Sequence, residues 1–361
     1  MAEEHPLQGF VPTFAVPGDT NRVLTANRAK PVLVCDNFSL LFHRYLPREA
    51  INADQLTNDG GGAKKTVRVW WFEQILKRFS LDVNDSNASE AFQVVHTATV
   101  KRWNARTRGT KKFPMILTSR MIVGLGGKGP LEIGLTIDQI TGLPYIPGSA
   151  LKGVARSYML YIIADELINR TNPQVLNWDL LKDLNEFYLD DNNKQKNRAN
   201  VKLEQLDKDI IAGKFADKTP MIALYRLIFG AEDLPAKGGL PKKDGEAGQA
   251  VFHDAVLMGA PSVVYGLDVM TPHFKGWYNS GNSSSGKPTE AAHDADSPNP
   301  VVFLTVNAGC QFAFSVGWRG AENLEAHRFT KKLLEAALQE FGIGSKTAAG
   351  YGAFKPVPVK K

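Results

Sequence analysis

Cysteine is nearly absent: Cys35 and Cys310 are the only two in 361 residues, and no C-x-x-C spacing exists. A disulfide framework and a cysteine-based zinc knuckle are both excluded. Two thiols in apolar surroundings fit a reducing compartment, and the cytoplasm is the expected location. No apolar run is long enough to cross a bilayer. The opening MAEEHPLQGFVP lacks the basic and apolar regions of a secretory signal. No internal repeat is visible. The seven histidines never stand at H-x-x-x-H spacing, so no metal site and no cofactor is implied. Acidic excess is missing as well, since the net charge is +6. That balance suits a polyanionic partner without requiring one. The 43% apolar and 22% charged content is that of a soluble globular chain.

Glycine is plentiful, and two glycine-bearing stretches organise the rest. In Leu143–Arg156, LPYIPGSALKGVAR, each proline pushes its predecessor toward extended backbone. Gly148 permits an unusual turn and Ser149 suits a helix N-cap. Leu151, Val154, Ala155, Tyr158, Met159 and Ile162 then recur at helical spacing. Lys152 and Arg156 fall on one face near the start of that helix. Free N–H groups, two glycines and two cations make a phosphate site there; a capped helix with solvated cations is the plainer alternative. Near the other end, GIGSKTAAGYG (342–352) follows a strongly helical segment. Gly344, Gly350 and Gly352 allow close approach to a sugar–phosphate backbone. Ser345, Lys346 and Thr347 supply hydroxyls and charge, and Tyr351 offers a ring for a base. The two stretches are expected to meet as one cradle. A nucleotide-binding P-loop is rejected: Ser345 and Glu340 stand where its glycines belong, and the order is helix then strand.

In chain order, residues 1–31 read as an extended arm. Helices are expected over 38–46 and 66–79, and 90–100 fits helix or strand. The cations Lys64, Lys65 and Arg68 open the second helix, either solvated or facing RNA. Residues 101–112 then carry six cations and no acid, with Trp103 among them. Arg106 and Arg108 beside an aromatic suit single-stranded RNA; a solvent-exposed basic loop is the alternative. A first core strand is expected over 113–125, a helix over 149–168, and a helical insertion over 171–218. A mobile loop (231–249) and a central strand (251–258) follow. The segment 264–303 leaves and re-enters the sheet, and an amphipathic helix covers 323–341.

PYIPGSALKGVAR and GIGSKTAAGYGAF together resemble the RAMP superfamily of CRISPR-associated proteins. Residues 122–135, 248–255 and 267–274 with 298–304 narrow the likeness to sixth subunits of type III-B (Cmr) effector complexes. The resemblance implies an α+β, ferredoxin-like (RRM-like) RAMP domain over 113–361, with an N-terminal helical extension (1–112), the helical insertion and a β-hairpin thumb. It implies a non-catalytic RNA-binding subunit that caps the backbone filament near the 3′ part of the CRISPR RNA. The implied partners are CRISPR RNA, target RNA and other Cmr subunits, among them the backbone and small subunits and a neighbouring RAMP head subunit. Met270, His273 and Phe274 would then be thumb residues wedging between bases. Subunits that cut RNA carry an Asp in the loop after the first strand. Here Lys128 occupies that loop, which argues against cleavage and makes Lys128 an RNA contact. Two alternatives stay open. One is a metal-independent endoribonuclease processing CRISPR RNA, with His273 beside Lys275 or Tyr278; the other is a general single-stranded RNA binder.

Overall fold

The computed structural model describes residues 35–46, 56–58, 64–125, 134–169, 203–215, 219–232, 245–271, 277, 301–321 and 323–358. The expected arm 1–31, Lys128, His273 and Phe274 lie outside the described residues. So do most of the insertion and the tip of the thumb segment. In chain order the elements are α1 (Phe38–His43), β1 (Leu56–Asn58), β2 (Lys64–Thr66), α2 (Val67–Leu76) and α3 (Glu90–Arg106). Then come β3 (Lys111–Leu117), β4 (Tyr145–Ile146), α4 (Gly148–Asn169), α5 (Leu203–Ile211), α6 (Pro220–Phe229), β5 (Gly230–Ala231) and β6 (Glu246–Ala247). β7 (Ala250–Phe252), β8 (Ala255–Gly259), β9 (Tyr265–Met270), β10 (Val301–Val306), β11 (Gln311–Trp318), α7 (Leu324–Glu340) and β12 (Phe354–Pro356) complete the order. No described helix is long and apolar enough to cross a membrane.

The chain divides into two compact units that interleave in sequence. The first takes 1–100, 119–145 and 257–310; the second takes 101–118, 146–256 and 311–361. The first unit is built on aromatic packing. Phe38 stacks on Tyr265 with ring centroids 4.1 Å apart, and Phe79 meets Phe38 and Phe92 edge-on. Asn37 caps α1 by accepting from Leu40 N, and its amide donates to the carbonyls of Gln139 and Ile140. The buried Tyr265 hydroxyl donates to Gly142 O, so this ring also has a polar anchor. β9 and β10 pair antiparallel from Tyr265↔Val306 to Met270↔Val301, forming the described part of the expected hairpin.

The second unit carries the site. β3 pairs antiparallel with β11, β12 lies on the other side of β3, and β7 pairs antiparallel with β11. The lateral order β12-β3-β11-β7 has α4 between β3 and β7 in sequence, and α7 between β11 and β12. This is the βαββαβ, ferredoxin-like arrangement of an α+β fold. β11 is buried from Phe312 through Val316, and Phe314 stacks on Phe113 and meets Phe354 edge-on. α7 covers the sheet with Leu333, Leu334, Ala337 and Leu338 on one stripe, as its periodicity requires. Asn323 caps it by accepting from Ala326 N.

Two strands differ from expectation. The strand expected over 113–125 spans Lys111–Leu117 and stops where Thr118 N and Oγ1 both donate to Ala353 O. The strand expected over 251–258 breaks at His253–Asp254 into β7 and β8. The Asp254 carboxylate there accepts from the Gly148 N–H instead of continuing an uninterrupted ladder.

Candidate nucleic-acid interface

α4 begins where Pro147 O accepts from Ala150 N and Leu151 N. Its first N–H, on Gly148, donates to Asp254 Oδ1 at 2.7 Å. The cap is therefore an aspartate from the β7–β8 break, and the exposed Ser149 stands inside the first turn rather than capping it. The glycine also has a packing reason. A Cβ at 148 would lie 2.1 Å from Phe252 O, closer than any real contact. The room this glycine makes is taken by a neighbouring strand.

The cations come next along the helix. Ser149, Lys152 and Arg156 line a solvent-open cavity of about 370 Å³, with residues 229–232, 246–248 and 250–252 and Arg319 along its other sides. Arg319 is held there by its N–H donating to Gln249 O at 2.8 Å. Burial holds the Lys152 ammonium below the ordinary lysine value, and the nearby Arg156 and Arg319 lower it further. Lys152 and Arg319 bring two cations to the cavity beside Arg156, whose charge is already met by Asp207, so an anion bound there would gain most from Lys152 and Arg319.

Arg156 is differently placed from Lys152. Its Nη2 meets Asp207 Oδ2 at 2.5 Å, and its Nε donates to Asp207 Oδ1 at 3.1 Å and to the Tyr225 hydroxyl at 2.6 Å. The Tyr225 hydroxyl itself donates to Asp207. Burial, then Asp207, push the Tyr225 hydroxyl well above its ordinary value. Arg156 thus presents a fixed guanidinium, anchored from α5 and α6. Lys152 makes no ion pair among the described residues.

The glycine-rich loop is braced separately. Ile343 N donates to Gly352 O, and a Cβ at 352 would lie 2.0 Å from Ile343 O, so the loop is pinched shut at its base. Gly344, Gly350 and Gly352 all take positive φ, and so does Lys346 at 60°, the one such non-glycine among the described residues. Gly344 and Gly350 are exposed; Ser345, Lys346, Thr347 and Tyr351 are half-buried. Phe341, just before the loop, packs edge-on against Tyr158 and Tyr161. Ser149 lies nine residues before Tyr158, roughly 13 Å along the helix. None of 342–352 lines the cavity. The cavity is built from α4, Arg319 and the β5–β7 strands, so the expected shared cradle is not what lines it.

The basic stretch 101–112 is partly corrected. Helix α3 runs on to Arg106 and turns Trp103 inward. Trp103 is only 7% exposed, its Nε1 donates to Asp254 O at 2.8 Å, and Lys112 Nζ sits 5.3 Å above its ring. It is spent on packing and cannot stack on a base. Arg106 and Arg108 remain exposed. Burial lowers the His253 pKa, with Arg106 adding to the effect and Asp254 opposing it. Met270 closes the β9–β10 pairing opposite Val301. Among the described residues no group of three or more His, Cys, Asp or Glu is arranged to hold a metal. Sequence reasoning missed Arg319, Asp207 and Tyr225, and read Asp254 only as part of a strand, because each acts across the fold on α4.

Comparisons with known proteins follow from this geometry. A family model described as the RAMP superfamily matches residues 115–355. A curated protein of Pyrococcus furiosus (strain ATCC 43587 / DSM 3638 / JCM 8422 / Vc1), described as CRISPR system Cmr subunit Cmr6, is 33% identical over 239 residues. That match spans 65% of this chain and 64% of the relative, so somewhat under two thirds of the relative's length is covered. A crystal structure of Cmr6 from Pyrococcus furiosus is 25% identical with a TM-score of 0.36, over 69% of this chain and 98% of that one. A cryo-EM structure of the Type III-B Cmr-beta bound to cognate target RNA is 18% identical with a TM-score of 0.40, over 73% of this chain and 64% of that one.

Proposed function

The chain belongs to the RAMP superfamily, and from that premise we propose that it is a non-catalytic RNA-binding subunit of a type III-B (Cmr) effector complex. The observation that carries the RNA assignment is the convergence of Lys152, Arg156 and Arg319 on one cavity. A phosphodiester backbone is an anion that Lys152 and Arg319 can take, Arg156 being paired already with Asp207, and contact through charge alone holds any sequence. Likeness to a Cmr6 protein over 239 residues supports the choice of complex. In this reading the chain grips the 3′ part of the CRISPR RNA, caps the backbone filament, and meets other Cmr subunits and target RNA. Ser149, Lys152 and Arg156, the 344–352 loop, Arg106, Arg108 and Lys128 serve the guide strand; Gly148, expected to join them, has its N–H taken by Asp254 and serves packing instead. Met270, His273 and Phe274 serve the thumb. Lys128 in place of an acid in the 124–129 loop supports the absence of cleavage.

The test is RNA binding measured across a salt series for the intact chain, Lys152→Ala and Lys346→Ala. Each substitution should weaken binding similarly for unrelated sequences and reduce the salt slope by about one. Unchanged affinity in both variants would remove the assignment. Guide RNA incubated with the chain should stay intact; cleavage lost in His273→Ala would favour the endoribonuclease instead.

A further inference from the structure

The cavity holds more than cations. Glu232 and Glu246 line it too, on the strand side facing the helix that carries Lys152 and Arg156. Both carboxylates are exposed, and neither makes an ion pair among the described residues. The half-buried ring of Phe252 contributes an aromatic wall and stacks on Phe229 with centroids 6.0 Å apart. A surface built only to hold a phosphate would gain nothing from two carboxylates beside its cations, since they weaken its field. Their presence makes sense if the occupant is itself divided, anionic at one side and hydrogen-donating at the other.

A volume of about 370 Å³ falls at the lower end of the roughly 300–1,000 Å³ typical of small-molecule sites and suits a single nucleotide. We infer that the cavity receives one nucleotide of the bound RNA, with its phosphate on Lys152 and Arg319 and a base bearing an exocyclic amine against Glu232 or Glu246. A carboxylate only accepts hydrogen bonds. Adenine and cytosine offer an amino group to it, and guanine offers an amino group beside a ring N–H. Uracil has one ring N–H flanked by two carbonyl oxygens, which a carboxylate repels. The chain therefore reads one base as amine-bearing, against a background of sequence-neutral backbone contacts. This rests on the proposal that the α4 cations bind RNA.

The test uses the full chain and a fluorescent hexauridylate, alone or with one internal uridine replaced by adenosine, cytidine or guanosine. The three substituted hexamers should bind about tenfold more tightly than hexauridylate, the effect of a hydrogen bond to a charged group. Glu232→Ala with Glu246→Ala should bring all four to one affinity. Lys152→Ala with Arg319→Ala should weaken all four together. Unchanged melting temperatures show that the fold is intact. Equal binding of the four hexamers by the unaltered chain overturns the base reading while leaving the phosphate site standing. A preference that survives loss of both carboxylates overturns it as well. If the cation variant changes no affinity, the RNA assignment itself fails.

Discussion

Gly148 and Gly153 sit five residues apart in the same helix and obey opposite rules. At 148 an added Cβ meets the backbone oxygen of Phe252, and backbone cannot step aside as a side chain would. At 153 an added Cβ meets nothing within 4 Å. Gly148→Ala should therefore cost about 1–3 kcal/mol, the usual penalty of overpacking, and displace the first turn of α4. Gly153→Ala should raise stability by about 0.5–1 kcal/mol, since alanine fixes the helix at lower entropy cost. Thermal denaturation of the two variants checks the pair, and a neutral Gly148→Ala would refute the packing argument. The sequence makes both glycines visible but assigns their room to phosphate. The neighbour that takes it at 148 comes from a strand far along the chain, and no local pattern announces it.

At the scale of elements, α4 is tied to α5 and α6 through Arg156, Asp207 and Tyr225. Asp207→Ala leaves a buried tyrosine hydroxyl and a partly buried guanidinium without their acceptor, at a cost of about 1–3 kcal/mol. Arg156 keeps its charge but loses its fixed direction. RNA affinity should fall several-fold at an unchanged salt slope, the reverse of what deleting a cation does. Unchanged affinity in Asp207→Ala would show that the α5 anchor does not position Arg156 for RNA. The elements differ in how readable they are. α4 and α7 carry long helical stripes, and both helices fall within a residue or two of where their spacing puts them. Residues 90–100 fit helix or strand because Phe92, Val94 and Val95 satisfy both periods. A Ser89 Oγ accepting from Phe92 N decides for the helix. The first strand overshoots because Met121, Ile122 and Val123 continue an apolar pattern, although they belong to the other unit.

Across the whole molecule, the two units exchange the chain repeatedly, so a single cut cannot release either intact. A boundary at 112/113 looks reasonable from composition, since a basic stretch precedes an apolar one. Yet residues 101–112 belong with the second unit. Trp103 donates to Asp254 O beside the start of α4, Thr110 Oγ1 lies 2.6 Å from Ser315 Oγ, and Lys111 and Lys112 pair with Val316 and Ser315 on the central strand. A fragment 113–361 exposes one side of buried β11 at these positions and removes a hydrogen bond next to the Asp254 cap. A fragment 101–361 keeps those contacts and loses only parts of the first unit. Melting temperature followed by circular dichroism should therefore be lower for 101–361 than for the full chain, and 113–361 should show no cooperative transition. If 113–361 instead melts cooperatively at the temperature of the full chain, residues 101–112 are an appendage. The Trp103 and β3 contacts would then contribute nothing to holding the α4 site in place.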